Sequence, residues 1–291
     1  MASLAARLPD IIALMRLDRP IGIWLLLWPT LWAVWIAGDG HPSLSIVLIF
    51  TLGVVFMRSA GCVINDYADR HWDGEVARTA DRPLVTGRVS AKEALLLFAL
   101  LVGLSASLLL WLNRETFYWS FGALALATLY PFMKRHTYLP QVVLGAAFSW
   151  AIPMAFVAQG KSPDALCWLL YSANLAWTVA YDTQYAMCDR DDDLKAGIKS
   201  TAILFGELDL LMVGLLQGLF LVGLFLLGQQ LSLGWPWYAG LLAAFILFAL
   251  QAWQTRARES QACLDAFKNN HLVGLVVFIA LLGGWLFHAT T

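Results

Sequence analysis

Long apolar stretches recur along the whole chain, and they limit its possible folds more than any other feature of the sequence. The 291 residues are 60% hydrophobic and only 13% charged, whereas soluble domains are about 45–50% apolar and about 25% charged. The stretches have the roughly 17–25 residues that an α-helix needs to cross a bilayer, and they differ from the short alternating segments of a β-barrel. The sequence therefore predicts an all-α integral membrane protein.

The apolar stretches predict a bundle of nine transmembrane helices in a single membrane-embedded domain that covers residues 1–291. Because no small-residue cleavage site follows the first stretch at a sensible distance, we expect it to be a retained span rather than a signal peptide. The predicted spans cover residues 20–38, 44–66, 93–113, 117–133, 140–159, 164–187, 207–228, 235–254 and 271–289.

The basic residues are segregated between the two sets of connecting loops. The N-terminal segment and the four longer loops hold 16 of the 19 Lys and Arg residues, the short loops hold Arg114 and Lys161, and Arg58 lies within the second span. Cytoplasmic loops of membrane proteins carry an excess of Lys and Arg. We therefore expect the N-terminus and the longer loops to be cytoplasmic and the C-terminus to be outside.

A polar stretch closes the second predicted span. Its sequence, NDYADRHWD, places Asn65, Asp69 and Asp73 four residues apart. On a helix this spacing stacks three oxygen-bearing side chains on one face. It is followed by a basic loop that contains Arg78.

A second polar stretch, YDTQYAMCDRDDD, closes the sixth span and repeats the spacing with Asp189 and Asp193. A basic loop with Lys195 and Lys199 follows it. The motif at 65–73 and the motif at 181–199 thus share one arrangement, which suggests that the domain consists of two related halves.

The two acidic clusters lie on the same predicted side of the membrane, which favours a binding site over solvated charges at helix ends. Oxygen ligands without a nearby ladder of His or Cys residues favour Mg²⁺ over zinc or copper. Mg²⁺ in proteins uses a few carboxylates together with substrate phosphate oxygens. A site of this kind at the face of a membrane bundle predicts a lipid substrate with a diphosphate head group and a tail between the helices.

Arg58 and Asp182 are charged residues that lie well inside predicted spans rather than at their ends. Arg58 precedes Asn65 by seven residues, two helical turns, and Asp182 precedes Asp189 by the same distance. A charge at this depth is costly unless it is paired or faces a wet cavity. Arg58 is therefore either tied to a neighbouring polar group or part of a buried anion pocket.

Three segments resemble the motifs of the UbiA superfamily of intramembrane prenyltransferases. NDYADRHWD matches its NxxxDxxxD pattern, YPFMKR matches its YxxxK pattern through Tyr130 and Lys134, and YDTQYAMCDRDDDLKAGIKS matches its DxxxD pattern. The resemblance extends to MRLDRPIG near the N-terminus and covers essentially the whole chain. It implies Mg²⁺-dependent transfer of a polyprenyl group from polyprenyl diphosphate to the ring carbon ortho to the hydroxyl of 4-hydroxybenzoate, a step of ubiquinone biosynthesis.

The resemblance also implies roles for individual residues. The implied metal ligands are Asn65, Asp69, Asp73, Asp189 and Asp193, and the four aspartates are counted as catalytic together with Tyr130 and Asp182. The implied substrate-binding residues are Arg58, for the acceptor's carboxylate, and Arg78, Lys134, Arg135, Lys195 and Lys199, for the diphosphate. Tyr130 would shield the allylic cation, and Asp182 would either orient the phenol or pair with Arg58.

Two alternatives remain at this point. The same prenyl transfer could act on another aromatic or quinone-precursor acceptor. A cation transporter is a remote alternative: it would need acidic residues near span centres, whereas almost all of them lie at span ends or in loops. The expected location is the bacterial inner membrane, with the active site facing the cytoplasm. The expected partners are the two substrates and membrane lipid, without nucleic acid.

Overall fold

A computed structural model describes residues 4–70, 74 and 79–287 of the chain. Two residues with predicted roles, Asp73 and Arg78, lie outside the described residues. The described part is helical and contains no strand. Its α-helices are α1 (Leu4–Leu14), α2 (Ile21–Ala37), α3 (Leu44–Asp69), α4 (Ala91–Leu108), α5 (Arg114–Met133), α6 (Pro140–Ser149), α7 (Ala151–Ala158), α8 (Ala165–Cys188), α9 (Arg190–Ala196), α10 (Thr201–Phe205), α11 (Asp209–Gln230), α12 (Trp235–Thr255) and α13 (Ser260–Leu286).

The predicted class, an all-α membrane protein, is confirmed. Six helical stretches of the described chain are long and apolar enough to cross a membrane, and they are Leu44–Asp69, Ala91–Trp111, Pro140–Ala158, Thr201–Gln230, Trp235–Thr255 and Ser260–Leu286. The helix α2 is a shorter apolar helix of 17 residues. The count of nine crossings and the orientation in the membrane stay predictions.

Side-chain caps begin several of the helices at the positions where turn-forming residues precede apolar runs. The clearest is Ser90, whose hydroxyl accepts a hydrogen bond from the backbone N–H of Glu93 at 3.3 Å. The Glu93 carboxylate accepts in return from the backbone N–H of Ser90 at 2.9 Å. This capping box satisfies two backbone donors that the first turn of a helix leaves without partners, and it fixes the start of α4.

The core of the bundle is aromatic and centres on α2. Trp32 and Trp177, which come from α2 and α8, are almost fully buried. Their ring centroids are 5.4 Å apart, and Phe220 of α11 stacks on Trp177 at 5.2 Å. Ring pairs of this kind add about 0.5–1.5 kcal/mol beyond their area burial, so the cluster holds α2, α8 and α11 together.

The segments rich in basic residues meet at one end of the bundle. Arg16, which follows α1, pairs with Asp66 near the end of α3. A backbone hydrogen bond of 3.1 Å from Lys199 to the carbonyl of Lys134 joins the loops that follow α9 and α5. At the other end, the short loops are joined by the exposed pair Lys161–Asp39. The arrangement agrees with the segregation of charge along the sequence.

Candidate active site

A cavity of about 1210 Å³ enters the bundle at the end where the basic segments meet. Its wall is built mainly by residues of α2 to α9 and α13. Leu112, just beyond the end of α4, and Phe117, in the first turn of α5, mark its other limit. The cavity therefore runs along most of the bundle, with a polar mouth and a mainly apolar interior.

The last turns of α3 carry the first polar cluster into this cavity. Asn65 and Asp69 both line it, as their spacing of four residues on one helix predicts. Asp69 is 1% exposed, and its carboxylate accepts a hydrogen bond from the ammonium of Lys134, which follows α5. The guanidinium of Arg135 lies 3.8 Å from the other carboxylate oxygen and donates to the carbonyl of Ala68 at 2.6 Å. The end of α3 is thus fixed to the end of α5 by charge-assisted hydrogen bonds.

Asp66, between the two predicted ligands, has a different environment. Both of its carboxylate oxygens accept from Arg16 at 3.1 Å, and Arg82 reaches one of them at 2.9 Å. Asp66 is 2% exposed. A buried carboxylate is stable only when it is paired, and two guanidinium groups pair this one. Arg16 and Arg82 therefore anchor the segment after α1 and the loop before α4 at the mouth of the cavity.

The second polar cluster lies where α8 gives way to α9. Asp189 lies between the two helices, and Asp193 follows one turn later on α9. The backbone N–H of Asp193 donates to the carbonyl of Asp189 at 2.9 Å, so the two side chains keep the spacing of four residues that places them on one face. Both residues line the same cavity as Asn65 and Asp69.

Arg58 projects from α3 into the cavity two turns below Asn65. Its Nη1 donates to the sulfur of Cys62 at 2.7 Å, and the guanidinium carbon lies 5.8 Å from the centre of the Phe148 ring. Its buried Nε has no hydrogen-bond partner among the described residues. The guanidinium lies so close to Gly22 of α2 that a Cβ there would be 2.3 Å from Nε. The site therefore holds a buried cation with an N–H donor that no described residue accepts from.

Asp182 and Tyr130 lie close enough to Arg58 to interact with it electrostatically. Among the described residues neither a hydrogen bond nor an ion pair joins Asp182 to Arg58, although both line the cavity. A direct structural pairing of the two charges is thus not formed. Tyr130 also lines the cavity and interacts electrostatically with Asp69, so it lies near both the acidic cluster and the buried charges.

The predicted site residues fall into three groups by position. Those that share the cavity wall are Arg58, Asn65, Asp69, Tyr130, Lys134, Asp182, Asp189, Asp193 and Lys199. Among the described residues, Arg135 and Lys195 are not part of that wall: Arg135 holds the end of α3, and Lys195 is exposed and pairs with Asp192 at 3.4 Å. Asp73 and Arg78 lie outside the described residues. The roles assigned to all of these residues stay predictions.

Several residues of the wall carried no assignment from the sequence. Arg16, Arg82 and His271 line the cavity as well. Arg16 and Asp66 are 50 residues apart in the chain, so no local pattern connects them. His271 contacts the carbonyl of Lys268, on its own helix, through Nδ1 at 2.8 Å, and an isolated His in an apolar helix gives no signal in the sequence.

The donor set suits a divalent cation that binds together with an anionic substrate. The cavity receives one amide oxygen, from Asn65, and carboxylates from Asp69, Asp189 and Asp193, which are the hard ligands that Mg²⁺ prefers. Within the described residues no three His, Cys, Asp or Glu side chains form a ready-made cation site. A shared site completed by phosphate oxygens, as is usual for Mg²⁺, fits these residues better than an all-protein cage.

A sequence model of the UbiA prenyltransferase family matches residues 26–282 of the chain. The chain belongs to this family. The resemblance of the three motifs is thereby confirmed, and so is the class of enzyme, a prenyltransferase. The match extends from the middle of α2 to the last turn of α13, so the whole cavity-forming bundle lies inside the family region apart from the first turns of α2 and the segment that precedes it.

Relatives of known name support the UbiA assignment along the full length. The chain is 61% identical to the 4-hydroxybenzoate octaprenyltransferase of Alcanivorax borkumensis over 270 residues, and these aligned residues cover 93% of each chain. It is 58% identical over 285 residues to the protein of that name from Pseudomonas aeruginosa strain PAO1, with 98% of this chain and 96% of the relative covered.

Solved structures of UbiA homologues have the same fold. The apo structure of the homologue from Aeropyrum pernix K1 superimposes with a TM-score of 0.78 at 24% identity, covering 89% of this chain and 96% of that one. The homologue from Archaeoglobus fulgidus bound to GPP and Mg²⁺ superimposes with a TM-score of 0.63 at 20% identity, covering 97% and 100%. At these identities the likeness concerns the fold.

Proposed function

We propose that this UbiA-family protein transfers a polyprenyl group from polyprenyl diphosphate to the ring carbon ortho to the hydroxyl of 4-hydroxybenzoate, in ubiquinone biosynthesis. The observation that carries the proposal is the convergence of the two acidic clusters, Lys134, Lys199 and Arg58 on one cavity with an apolar interior. The names of the relatives that are about 60% identical supply the donor class and the acceptor.

The diphosphate end of the donor belongs at the mouth of the cavity. Asn65, Asp69, Asp189 and Asp193 would hold Mg²⁺ there, and Asp73 completes the set by its place in the motif. When bound, Mg²⁺ supplies a Lewis acid that offsets the charge developing on the leaving diphosphate. Lys134 and Lys199 neutralise further phosphate charge. Arg78, Arg135 and Lys195 remain candidates for the same task on the evidence of sequence.

The acceptor end of the site lies deeper, at Arg58. A benzoate carboxylate in a membrane bundle needs a buried cation, and Arg58 offers a guanidinium whose Nε has no other partner in the described part of the chain. Asp182, near Arg58 but not paired with it, is then placed to orient the phenol by a hydrogen bond.

The chemistry follows from this placement. The allylic C–O bond breaks, and the electron pair leaves with the diphosphate. The ring carbon ortho to the phenol then forms a C–C bond to the allylic cation and loses its proton. The apolar wall excludes water from the cation, and the ring of Tyr130, which lines the cavity, stabilises it through a cation–π contact.

The metal assignment is tested by Asp69→Asn and Asp189→Asn in purified protein supplied with Mg²⁺, a polyprenyl diphosphate and 4-hydroxybenzoate. Each change removes a charged ligand and keeps the side-chain volume, so we expect turnover to fall by about 10³-fold or more, the scale on which loss of an electrostatic stabiliser acts. Asp192→Asn, at a half-buried residue outside the cavity wall, is the matched control and should keep near-normal turnover. Near-normal turnover of both cavity variants would remove the metal assignment.

An assay of a panel of aromatic acids and quinone precursors, with and without EDTA, shows whether 4-hydroxybenzoate or another compound is the acceptor. Preference for an acceptor without a carboxylate would contradict the role proposed for Arg58. The same assay addresses the remote alternative, since a transporter would form no prenylated product.

We further propose that the bundle crosses a bacterial inner membrane nine times with the cavity mouth at the cytoplasm. The basic segments that meet around the mouth support this orientation. The halves that carry the motifs at 65–73 and 181–199 are proposed to be related, because Arg58 and Asp182 precede their respective clusters by the same seven residues.

A further inference from the structure

Asp189 lies at an interruption in the helical chain. The helix α8 ends at Cys188 and α9 begins at Arg190, with Asp189 between them at φ −104° and ψ 6°. The helix α9 has only seven residues, whereas isolated helices shorter than about 12–15 residues are marginal in water. The position of the second acidic cluster therefore depends on contacts with the rest of the protein.

The residue after Asp189 is anchored to the start of α11. The guanidinium of Arg190 donates to the carbonyl of Gly206 at 2.7 Å and to that of Ala202, and it pairs with the carboxylate of Asp209 at 3.0 Å. Asp209, the first residue of α11, is 0% exposed. Its charge also lies at a helix N-terminus, where a negative charge is favourable.

A second arginine, from the loop between α12 and α13, holds the same carboxylate. The Nε of Arg258 lies 3.0 and 3.1 Å from the two carboxylate oxygens of Asp209, and its Nη2 lies 2.8 Å from one of them. Arg258 has a φ of 56°, a left-handed conformation that is costly for a residue with a side chain. The hydrogen bond to Asp209 raises the pKa of Arg258 above the ordinary value of an arginine, so this side chain is charged at every physiological pH.

The residue before Asp189 is anchored to the first residue of α13, next to the same loop. The hydroxyl of Ser260 donates to the carbonyl of Cys188 at 2.9 Å and lies 3.1 Å from its sulfur. Both neighbours of Asp189 are thus tied, directly or through Asp209, to residues 258–260 at the start of α13 and just before it. Within the described residues none of Asp209, Arg258 and Ser260 is part of the cavity wall.

We propose that Asp209, Arg258 and Ser260 are positioning residues, a clamp that holds the helix break so that Asp189 and Asp193 face the cavity. The inference rests on the proposed function, in which these two carboxylates bind Mg²⁺ with the diphosphate. The physical reason is that a ligand must be held in place before the cation and substrate arrive, and mutation of the groups that orient metal ligands typically lowers metal affinity or activity about 10- to 100-fold.

The test compares Asp209→Asn, Arg258→Ala and Ser260→Ala with the parent protein. We expect the Mg²⁺ concentration for half-maximal activity to rise about 10- to 100-fold in Asp209→Asn and Arg258→Ala, the range for groups that orient metal ligands, and less in Ser260→Ala. The KM for 4-hydroxybenzoate should stay unchanged, because Arg58 is untouched. Arg258→Lys, which keeps the charge, should recover part of the loss.

Two readouts do not depend on turnover. Without acceptor, the rise in unfolding temperature caused by Mg²⁺ with geranyl diphosphate should need correspondingly more Mg²⁺ in the clamp variants. Hydrogen exchange should become faster in the peptide that covers residues 189–196 and remain unchanged at the end of α3. The matched control is Phe248→Leu, which removes packing from the buried core of α12 without touching the clamp, and it should leave the Mg²⁺ requirement at the parent value.

The outcomes separate the clamp from the proposed function. If Asp209→Asn and Arg258→Ala lower stability as Phe248→Leu does but keep the parent's Mg²⁺ requirement, the clamp is refuted. If Asp209→Asn does not fold, Arg258→Ala and Ser260→Ala decide in the same way. Asp189→Asn is measured beside them: parent-like activity there overturns the metal assignment itself, whatever the clamp variants do.

Discussion

At the scale of single residues, Arg58 has the most constrained environment of the proposed substrate-binding groups. Its guanidinium packs on the backbone of Gly22, and a sulfur atom is the only hydrogen-bond partner that the structure gives it within the described residues. A cation in such a setting retains donors that a carboxylate could accept in bidentate fashion. Glycine on α2 leaves room for this position, because a Cβ there would occupy the space of the guanidinium.

Arg58→Ala should raise the KM for 4-hydroxybenzoate far more than that for the donor. A hydrogen bond to a charged group contributes about 1.5–3 kcal/mol, which corresponds to an increase of roughly 10- to 150-fold. Steady-state kinetics with each substrate varied in turn provide the measurement. An unchanged acceptor KM would show that Arg58 does not bind the carboxylate.

Gly22→Ala tests the contact between α2 and the Arg58 guanidinium from the side of α2. The added methyl group would force the Arg58 guanidinium to move, since it would lie 2.3 Å from Nε, so we expect the acceptor KM to rise in this variant as well. Gly103→Ala on α4 is the matched control, because a Cβ there meets nothing within 4 Å. Equal kinetics of the two glycine variants would contradict the proposed packing.

At the scale of helices, a buried polar network joins α8, α11, α12 and α13 beneath the second acidic cluster. Gln184 and Gln217 both donate to the side-chain oxygen of Gln251, at 3.3 and 3.1 Å. Asn270 donates to Gln184 at 3.0 Å and accepts from the indole of Trp177 at 2.8 Å. Because Gln184 lies between Asp182 and Asp189 on the chain, the network fixes the rotation of α8.

Gln251→Leu should lower the free energy of unfolding by about 1–3 kcal/mol, because it leaves two buried amide donors without their acceptor. Interactions of this kind within membranes average about 0.6 kcal/mol, so a loss near the lower limit is expected. Equilibrium unfolding in mixed detergent micelles measures it. Leu250→Ala, on the exposed side of the same helix, should change the stability by less than about 0.5 kcal/mol, and equal losses in both variants would argue against the network.

The helices show which parts of the site can be predicted from sequence. The spacing of Asn65 and Asp69 on one apolar run predicts their shared face, because a helix of known period needs no tertiary information. The break at Asp189 could not be predicted, since neither Gly nor Pro marks it in YDTQYAMCDRDDD. It is held by Arg190 and Asp209, and the pairing of such distant charges depends on the packing of three helices.

At the scale of the molecule, the length of the cavity is the property that bears on the donor. The wall includes Leu112 and Phe117 at the end remote from the acidic clusters, so a tail whose diphosphate is at the mouth has an apolar path along most of the bundle. Charge segregation predicts the end at which the head group binds, but the cavity results from how the helices pack and carries no local sequence pattern.

Ala123→Phe should impair long donors more than short ones. Ala123 lines the cavity on α5, and a phenyl ring there narrows the path of the tail, so kcat/KM for a long polyprenyl diphosphate should fall about 10- to 100-fold while that for geranyl diphosphate falls less. Ala125→Phe is the control on the exposed face of the same helix and should act as the parent does. An equal loss for both donor lengths would place the tail elsewhere.

The number of membrane crossings is the remaining property of the whole molecule, and its parity can be measured. Beyond the six stretches that are long and apolar enough, α2, α5 and α8 have 17, 20 and 24 residues, or about 26, 30 and 36 Å at 1.5 Å per residue. These lengths are close to or above the roughly 30 Å of a bilayer core. The polar residues Asp182 and Gln184 that reduce the apolar character of α8 are buried inside the bundle, where lipid does not meet them.

Nine crossings place the two termini on opposite sides of the membrane, whereas six would place them on the same side. With a cytoplasmic N-terminus we expect alkaline phosphatase fused after residue 291 to be active and green fluorescent protein fused there to be dark in bacterial cells. A fusion after Arg258, in the basic loop between α12 and α13, should give the reverse pattern, because that loop belongs to the side that holds most of the positive charge. Fluorescence after residue 291 together with phosphatase activity after Arg258 would require an even number of crossings, and one or all three of α2, α5 and α8 would then have to lie within the bundle without spanning it.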